Sequence, residues 1–182
     1  MAKWVMVMSR PTIVTLSGKA GHGKSSAATI LSNNMIKQGC KVAIVHYADY
    51  LKFVAQKYMG WNGIKDDYGR SLLQHIGTEV VRSVQPNYWV DHVINTVELM
   101  LSNYEFILIP DTRFEGEITR WNERGYKVVT VHISRLDYEN SLSEVQRSHI
   151  SETALDDYIF NHSIVANNLE ELERELLGCQ IY

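Results

Sequence analysis

The sequence is poor in the residues that build disulfide scaffolds and flexible linkers. It has only two cysteines, Cys40 and Cys179, and their spacing forms no metal-binding or disulfide pattern. It has three prolines and no long glycine- or serine-rich stretch, which argues against a linker between separate domains. We therefore expect one domain, spanning residues 1–182, that works in a reducing compartment, the cytoplasm.

The chain also lacks an excess of positive charge and a long apolar run. It has 18 basic and 21 acidic residues, a formal net charge of −3, which indicates no general affinity for nucleic acid. The apolar patch from Trp4 to Met8 is too short for a signal peptide or a membrane span. We expect residues 1–10 to form an extra strand or a loose arm, and no membrane partner. Whether the chain forms a homodimer stays open.

One glycine-rich segment is present and carries the strongest chemical signal. It follows the apolar run 12–17, precedes a helix-like stretch at 25–38, and consists of Gly18, Lys19, Ala20, Gly21, His22, Gly23, Lys24 and Ser25. Strand, glycine-rich turn, Gly-Lys-Ser and helix are the context of a phosphate-binding P-loop. Backbone N–H groups and the helix dipole would bind an anion, Lys24 would contact the β- and γ-phosphates of ATP, and the Ser25 hydroxyl would bind Mg²⁺. The alternative is a β-to-α turn without chemistry.

The hydrophobic pattern along the rest of the chain predicts an α/β fold. Apolar runs at 41–47, 104–110, 127–133 and 163–166 predict four more strands, and helical spacing predicts helices at 49–59, 67–83, 88–103, 115–124, 151–157 and 169–177. We expect a three-layer P-loop kinase sandwich, with five parallel strands and helices on both faces. Its core would be 11–48, 104–135 and 159–182, with a helical substrate lobe at about 49–103 and a loop-like lid at about 136–150.

Charged residues follow the predicted strand ends, where ligands of open α/β sheets bind. The strand 104–110 delivers Asp111, the position of the magnesium-binding carboxylate in P-loop enzymes, and Arg113 comes two residues later. Asp49 and Lys52 follow the strand 41–47, although Asp49 could simply cap its helix. Ser134 and Arg135 leave the strand 127–133.

These motifs together resemble the bacteriophage-type deoxynucleoside monophosphate kinases, over about residues 12–176. The matching segments are 48–52 (Ala-Asp-Tyr-Leu-Lys), 73–82, 88–91, Asp111-Thr112-Arg113-Phe114 with Glu117, 147–152 at the end of the lid, and the pair Asn167-Asn168. Tyr50 stands where the family has proline, and Glu115-Gly116 stand where it has Pro-Asn. Both departures concern the substrate pocket and remove no charged group.

The resemblance implies transfer of the γ-phosphoryl group from ATP, with Mg²⁺, to a deoxynucleoside 5′-monophosphate, in the host cytoplasm if a phage encodes the chain. Lys24, Asp49, Arg113 and Arg147 would be catalytic, with Asp49 and Asp111 orienting metal-bound water and Ser25 and Asp111 serving the metal. Arg135, Asn167 and Asn168 would join the P-loop in binding ATP. The acceptor site would comprise Asp49, Lys52, Arg70, Gln74, Arg82, Trp89, Asp111 and Arg113, although Trp89 fits a helix-start core position equally well.

Two other functions remain open at this point. A small P-loop kinase with another acceptor, such as a dephospho-coenzyme A or sugar kinase, would use Asp49 as a general base because an alcohol must lose its proton. A nucleotide-gated switch or assembly ATPase would instead hydrolyse ATP slowly with a positioned water. The predicted acceptor-sized lobe favours a kinase over the switch.

Overall fold

The computed structural model describes residues 10–182 apart from Ser102, Asp137 and Glu139. Its strands are β1 (Thr12–Ser17), β2 (Val42–Ile44), β3 (Phe106–Ile109), β4 (Val128–Ser134) and β5 (His162–Val165). They form one sheet in the order β2-β3-β1-β4-β5, and every neighbouring pair is parallel. This confirms the predicted five-stranded parallel sheet. The expectation for residues 1–9, an extra strand or an arm, lies outside the described residues.

The described helices cover both faces of the sheet, as predicted. They are α1 (Lys24–Lys37), α2 (Ala48–Tyr58), α3 (Asp67–Gln74), α4 (Tyr88–Met100), α5 (Gly116–Glu123), α6 (Glu144–Ser148), α7 (Ile150–Thr153) and α8 (Leu169–Gly178). Helices α1 and α8 share one apolar cluster with the sheet, and α4 and α5 share another on the opposite face. Within the described ranges, no helix is long and apolar enough to cross a membrane.

The central strand β1 determines where the P-loop lies. Its side chains alternate between the two apolar clusters, with Val14 and Leu16 facing α1 and Ile13 facing α4, and all three are fully buried. Strand β1 pairs with β3 on one side and β4 on the other. The carboxyl ends of the three strands therefore bring the P-loop beside Asp111 and Arg135, which follow β3 and β4.

The segment between β2 and β3 forms a helical lobe with its own small apolar cluster. Leu51, Ala55, Trp61, Ile76 and Trp89 are buried there against one another. Helix α4 of the same stretch packs its apolar face on the sheet instead, and the division of the chain into a core and a substrate lobe at about 49–103 stays a prediction.

The predicted continuous α-helix at 67–83 is wrong in one respect. Helix α3 ends at Gln74, and His75–Arg82 form a π-helical segment. Because a π-turn contains more residues than an α-turn, the 3.6-residue spacing no longer predicts which side chains of this segment are buried. Val80, which helical spacing would place on the same face as the buried Ile76, is 47% exposed.

Two further element predictions need correction. The strand predicted at 41–47 is only Val42–Ile44, since the backbone N–H groups of Tyr47 and Ala48 bond to the Asp111 carboxylate instead of a neighbouring strand. The lid, predicted as a loop at 136–150, contains helix α6, which begins with a capping box formed by Ser143 and Gln146. The helix predicted at 151–157 is only α7.

Candidate active site

The P-loop follows β1 in a conformation that its glycines make accessible. Gly18, Gly21 and Gly23 have φ values of 137°, 80° and 93°, in the left-handed region that other residues rarely adopt. A side chain at Gly18 would also collide with the backbone carbonyl of Ile133 at the end of β4. Glycine at this position therefore lets the loop pass close to the neighbouring strand.

Lys24 folds back over the loop that carries it. Its ammonium donates hydrogen bonds to the carbonyls of Gly18 (2.7 Å) and Lys19 (2.8 Å). The side chain is nearly buried, and burial together with the nearby positive charge of Arg113 lowers its pKa to about 7. An anion bound at the loop would therefore stabilise the charged form of this lysine.

Arg113 reaches the same place from the end of β3. Its Nη1 atom lies 3.3 Å from the Gly18 carbonyl oxygen, which also accepts the bond from Lys24. The structure thus brings together two cations that are distant in sequence, beside the expected position of the nucleotide phosphates. This is the convergence that the sequence-based hypothesis requires.

Glu152 on α7 neutralises part of this positive charge. One of its carboxylate oxygens pairs with Arg113 Nη1 at 2.8 Å, and the other accepts from the backbone N–H of Ala20 at 3.1 Å. Its backbone carbonyl accepts from Lys19 at 2.6 Å. The Glu152 carboxylate therefore bonds to a P-loop N–H group and to the Arg113 guanidinium, two groups that are also suited to binding phosphate oxygens. Its position in the sequence, at the end of the predicted lid and the start of a predicted helix, indicates no such role.

A cavity of about 220 Å³ opens between the P-loop, the helical lobe and the lid. Lys65, Arg70, Arg82 and Arg113 supply its positive charge. Apolar side chains, including Leu51, Trp89 and Phe114, form part of its wall, and Gln74 and Thr78 add uncharged polar groups. The combination fits a ligand with both an anionic part and a flat apolar part.

Arg82 is fixed within the cavity wall by two contacts. Its guanidinium lies 4.1 Å over the Phe114 ring and pairs with the Glu117 carboxylate. Glu117 is fully buried, and it also accepts from the backbone N–H groups of Arg113 (2.7 Å) and Phe114 (3.2 Å). Burial raises the pKa of Glu117, which Arg82 opposes. This carboxylate therefore links the Arg82 guanidinium to the backbone of Arg113.

Asp111 has a structural task that sequence reasoning missed. Its two carboxylate oxygens accept from the backbone N–H groups of Tyr47 (3.1 Å) and Ala48 (3.0 Å), at the start of α2. It thereby caps the helix that Asp49 was considered to cap. Asp111 still lines the cavity, and its negative charge acts on Lys24.

Several predicted acceptor-site residues line the cavity, and others do not. Arg70, Gln74, Arg82, Trp89, Asp111 and Arg113 all line it. Trp89 is 4% exposed and its indole N–H donates to the Gly77 carbonyl, so it is both a core residue and part of the wall.

Asp49, Lys52 and Arg147 do not line the cavity. Asp49 pairs with Lys52 at 2.9 Å and with His46 at the surface. Arg147 is exposed on α6.

The predicted ATP-binding residues at the other end of the P-loop form a second group. Arg135 stacks over the Tyr138 ring at 4.3 Å and donates to the Asn167 carbonyl at 3.1 Å. His22 accepts from the backbone N–H of Arg135 at 3.2 Å, so its ring is engaged as well as its backbone. The Asn168 side chain caps α8.

The remaining lysine of the cavity, Lys65, was missed entirely. It lies in the loop between α2 and α3, exposed to solvent at the edge of the cavity, and partial desolvation of its ammonium together with the positive charges of Lys52 and Arg70 lowers its pKa. No spacing or motif in this loop distinguishes Lys65 from an ordinary surface lysine. Only the three-dimensional arrangement reveals it.

Comparison with known proteins identifies the family to which these features correspond. A sequence profile described as deoxynucleotide monophosphate kinase matches residues 38–176, three quarters of the chain. The match begins after the P-loop and includes the helical lobe, the segment 111–117 and the lid. No curated protein sequence matches this chain.

Solved kinase structures have a similar fold at low sequence identity. A shikimate kinase from Bacteroides thetaiotaomicron is 12% identical, with 92% of this chain and 95% of that chain covered and a TM-score of 0.51. An APS kinase from Mycobacterium tuberculosis, solved with AMPPNP and APS, is 14% identical, with coverages of 93% and 99% and a TM-score of 0.47. The shikimate kinase supports the kinase fold and nothing about the substrate.

The position of Lys24 predicts a conflict between function and stability. Replacing it in Lys24→Met should increase the stability of the nucleotide-free protein by roughly 1–3 kcal/mol at pH 7, because a buried cation is removed. The unfolded lysine keeps a pKa of about 10.5 while the folded one has about 7. Between these two pKa values the unfolded chain therefore binds more protons than the folded chain, so the stability of the wild type rises with pH. The stability advantage of Lys24→Met over the wild type shrinks over the same pH range.

Urea unfolding at pH 6.5, 8 and 9.5 measures this difference. As a control, Lys37→Met at the exposed end of the same helix should change stability by about 0.5 kcal/mol or less at pH 8. A loss of stability in Lys24→Met at pH 6.5, or a gain that stays constant to pH 9.5, would contradict the interpretation.

The pair of Arg82 and Glu117 predicts strongly non-additive substitutions. Arg82→Met should destabilise the fold by about 3–5 kcal/mol, since it leaves the buried Glu117 carboxylate without its counter-ion. Adding Glu117→Gln to this variant should recover at least about 1 kcal/mol. Urea unfolding of both single variants and the double variant tests the coupling, and simple addition of the two single effects would disprove it.

Proposed function

The chain belongs to the deoxynucleotide monophosphate kinase family, and we propose that it transfers the γ-phosphoryl group of ATP to the 5′-phosphate of a deoxynucleoside monophosphate. The products would be ADP and the deoxynucleoside diphosphate. One observation carries the proposal: Lys24 and Arg113 converge on the Gly18 carbonyl beside a cavity that also presents Arg70 and Arg82.

On the donor side, the P-loop would bind the phosphates of ATP. The backbone N–H groups and the N-terminus of α1 attract anions, and the Lys24 ammonium would exchange its two carbonyl partners for phosphate oxygens. Negative charge raises the pKa of a neighbouring lysine, so bound ATP would keep Lys24 protonated. Arg135 and Asn167 lie where they could contact the rest of the nucleotide.

On the acceptor side, Arg70 and Arg82 would bind the 5′-phosphate. The nucleobase would lie against the apolar wall that includes Leu51, Trp89 and Phe114. An arginine held in a fixed orientation, as Arg82 is by Glu117, positions a phosphate at little entropic cost. Gln74 and Thr78 are the uncharged polar groups available to the base.

The engagement of the cavity carboxylates favours a phosphate acceptor over an alcohol. Asp111, Glu117 and Glu152 each accept hydrogen bonds from backbone or arginine N–H groups, so none is poised to remove a proton. Asp49, the base that an alcohol kinase would need, lies outside the cavity. A phosphate monoester is already an anionic nucleophile at neutral pH, and transfer then depends on positioning and charge neutralisation.

The proposed reaction would use Mg²⁺ held mainly by the substrate, because Asp111 lines the cavity whereas Ser25 lines a separate groove beside α8. This ion typically takes one or two protein ligands and completes its coordination with phosphates and water. The Ser25 hydroxyl at the start of α1 and the Asp111 carboxylate, whose charge acts on the adjacent Lys24, would provide the protein ligands. Bound there, the ion would neutralise charge on the β- and γ-phosphates.

The proposal is tested by a coupled assay of ADP formation with a panel of acceptors. We expect turnover with one or more deoxynucleoside monophosphates and at least about 100-fold less ATP hydrolysis without an acceptor. Activity with an alcohol and with no nucleoside monophosphate would assign a small-molecule kinase. ATP hydrolysis that monophosphates do not change would instead indicate a nucleotide-gated ATPase.

Arg70 provides a prediction about the acceptor site. Its Nε atom donates to the Lys65 carbonyl, which leaves the rest of the guanidinium to the cavity. Arg70→Ala should raise the KM for the monophosphate by about 10- to 100-fold and the KM for ATP by less than about threefold. Arg174→Ala, on the exposed face of α8, is the matched control and should change neither. Equal increases in both KM values would remove Arg70 from the acceptor site.

A further inference from the structure

The loop that carries Lys65 is fixed by several hydrogen bonds. The Trp61 indole donates to the Ile64 carbonyl at 2.9 Å, and the Ile64 N–H donates to the Asn62 side chain at 2.9 Å. Trp61 itself is buried in the apolar cluster of the lobe. Lys65 is thus presented from an ordered turn and not from a loose surface segment.

Helix α3 begins directly after Lys65 and packs against this loop. Asp66 caps the helix through the backbone N–H of Gly69, and a side chain at Gly69 would collide with the Ile64 carbonyl and the Trp61 indole. Arg70, one residue later, donates to the Lys65 carbonyl at 3.1 Å. These contacts place the lysine and the proposed acceptor arginine side by side.

The surroundings of the Lys65 ammonium are positively charged. Lys52, Arg70 and Arg113 all act on it, and Asp111 acts in the opposite sense. Among the described residues, no carboxylate lies within ion-pair distance of Lys65, whereas Arg82 and Arg113 each have one. Lys65 and Arg70 are thus the two cavity cations that no carboxylate pairs within the described part of the chain, and such neighbouring cations are expected where a multiply charged anion binds.

The charge of Lys65 acts on both halves of the site. Its charge contributes to the lowered pKa of Lys24 in the P-loop, and it stands next to Arg70 in the helical lobe. It therefore lies within electrostatic reach of both the donor and the acceptor phosphate positions. Arg147, expected from the sequence to neutralise the transferring group, is exposed on α6 and does not line the cavity.

We propose that Lys65 is a catalytic residue whose ammonium contacts the oxygens of the phosphoryl group in transit between donor and acceptor. The inference rests on the proposed function. The bond from the γ-phosphorus to the β,γ-bridging oxygen breaks and leaves its electron pair on ADP, while an acceptor phosphate oxygen forms the new bond to phosphorus. Lys65 keeps its proton throughout and donates hydrogen bonds to the group that moves.

The first test compares Lys65→Met with Lys65→Arg. Loss of the charge should lower kcat by about 10²- to 10³-fold with both KM values within about threefold, because the contact is strongest in the transition state. Lys65→Arg should regain at least a tenth of the wild-type kcat. Lys57→Met, an exposed lysine of the same lobe outside the cavity, is the control and should match the wild type.

An effect of Lys65→Met on KM instead of kcat would overturn the inference. A higher KM for the monophosphate with unchanged kcat would assign Lys65 to acceptor binding alone. An Arg variant as inactive as the Met variant would show that a shape specific to lysine, and not the charge, is needed. Urea unfolding of each variant establishes that the fold is intact, and the Arg variant keeps the test valid if Lys65→Met fails to fold.

A binding measurement separates this inference from the proposed function. ADP with aluminium fluoride imitates the phosphoryl group in transit, and calorimetry measures its affinity without turnover. Lys65→Met should bind it at least about 10-fold more weakly than the wild type while binding ADP alone equally well. If the wild type phosphorylates no deoxynucleoside monophosphate, the proposed function fails, but the binding comparison still tests the role of Lys65. Equal affinity of Lys65→Met and the wild type for ADP–aluminium fluoride would refute the role of Lys65.

Discussion

Repulsion between like charges is the constraint that the site has to satisfy. In the proposed reaction a donor phosphate and an acceptor phosphate must meet, so the protein needs several cations in one cavity. Those cations repel one another before substrates bind. The structure resolves this with carboxylates: Glu117 balances Arg82 and Glu152 balances Arg113. In the part of the chain that the structure describes, the hydrogen-bond partners of Lys24 are both carbonyls, and its lowered pKa is in the direction expected for a buried cation without a paired carboxylate.

The two carboxylates occupy different positions in this arrangement. Glu117 is fully buried beneath the segment 113–114 and holds an arginine and two backbone N–H groups, so it can stay in place while substrate binds. Glu152 instead occupies a P-loop amide and a guanidinium that suit phosphate oxygens. Since it comes from α7 at the end of the lid, its bonds to the P-loop connect the lid to the same groups that the proposed nucleotide would bind.

The fold could be predicted largely from the sequence because its signals are local. A strand, a glycine-rich turn and a helix lie in one stretch, and buried parallel strands are continuous apolar runs. The π-helical segment after Gln74 could not be predicted, since its spacing obeys neither common period. Lys65 and Glu152 could not be predicted for another reason, since their importance depends on residues distant in the sequence. Lys65 acts near Arg113, about 50 residues away, and Glu152 bonds to Ala20, about 130 residues away. Arg147 was chosen for its place in the lid, yet α6 turns it to the surface.

The location of the positive charges bears on how ATP would be protected from water. If the lid supplied the cation for the transferring group, closure over ATP alone could assemble an active site, and water could accept the phosphoryl group. Here the lobe supplies Lys65, whose carbonyl bonds to the proposed acceptor arginine, Arg70. Gln146 of the lid also bonds to α3 of this lobe, through the carbonyl of Asp67. An acceptor phosphate at Arg70 would therefore contact the lobe that presents Lys65 and, through α3, the lid, so that closure with an acceptor bound would position the lysine better than closure over ATP alone.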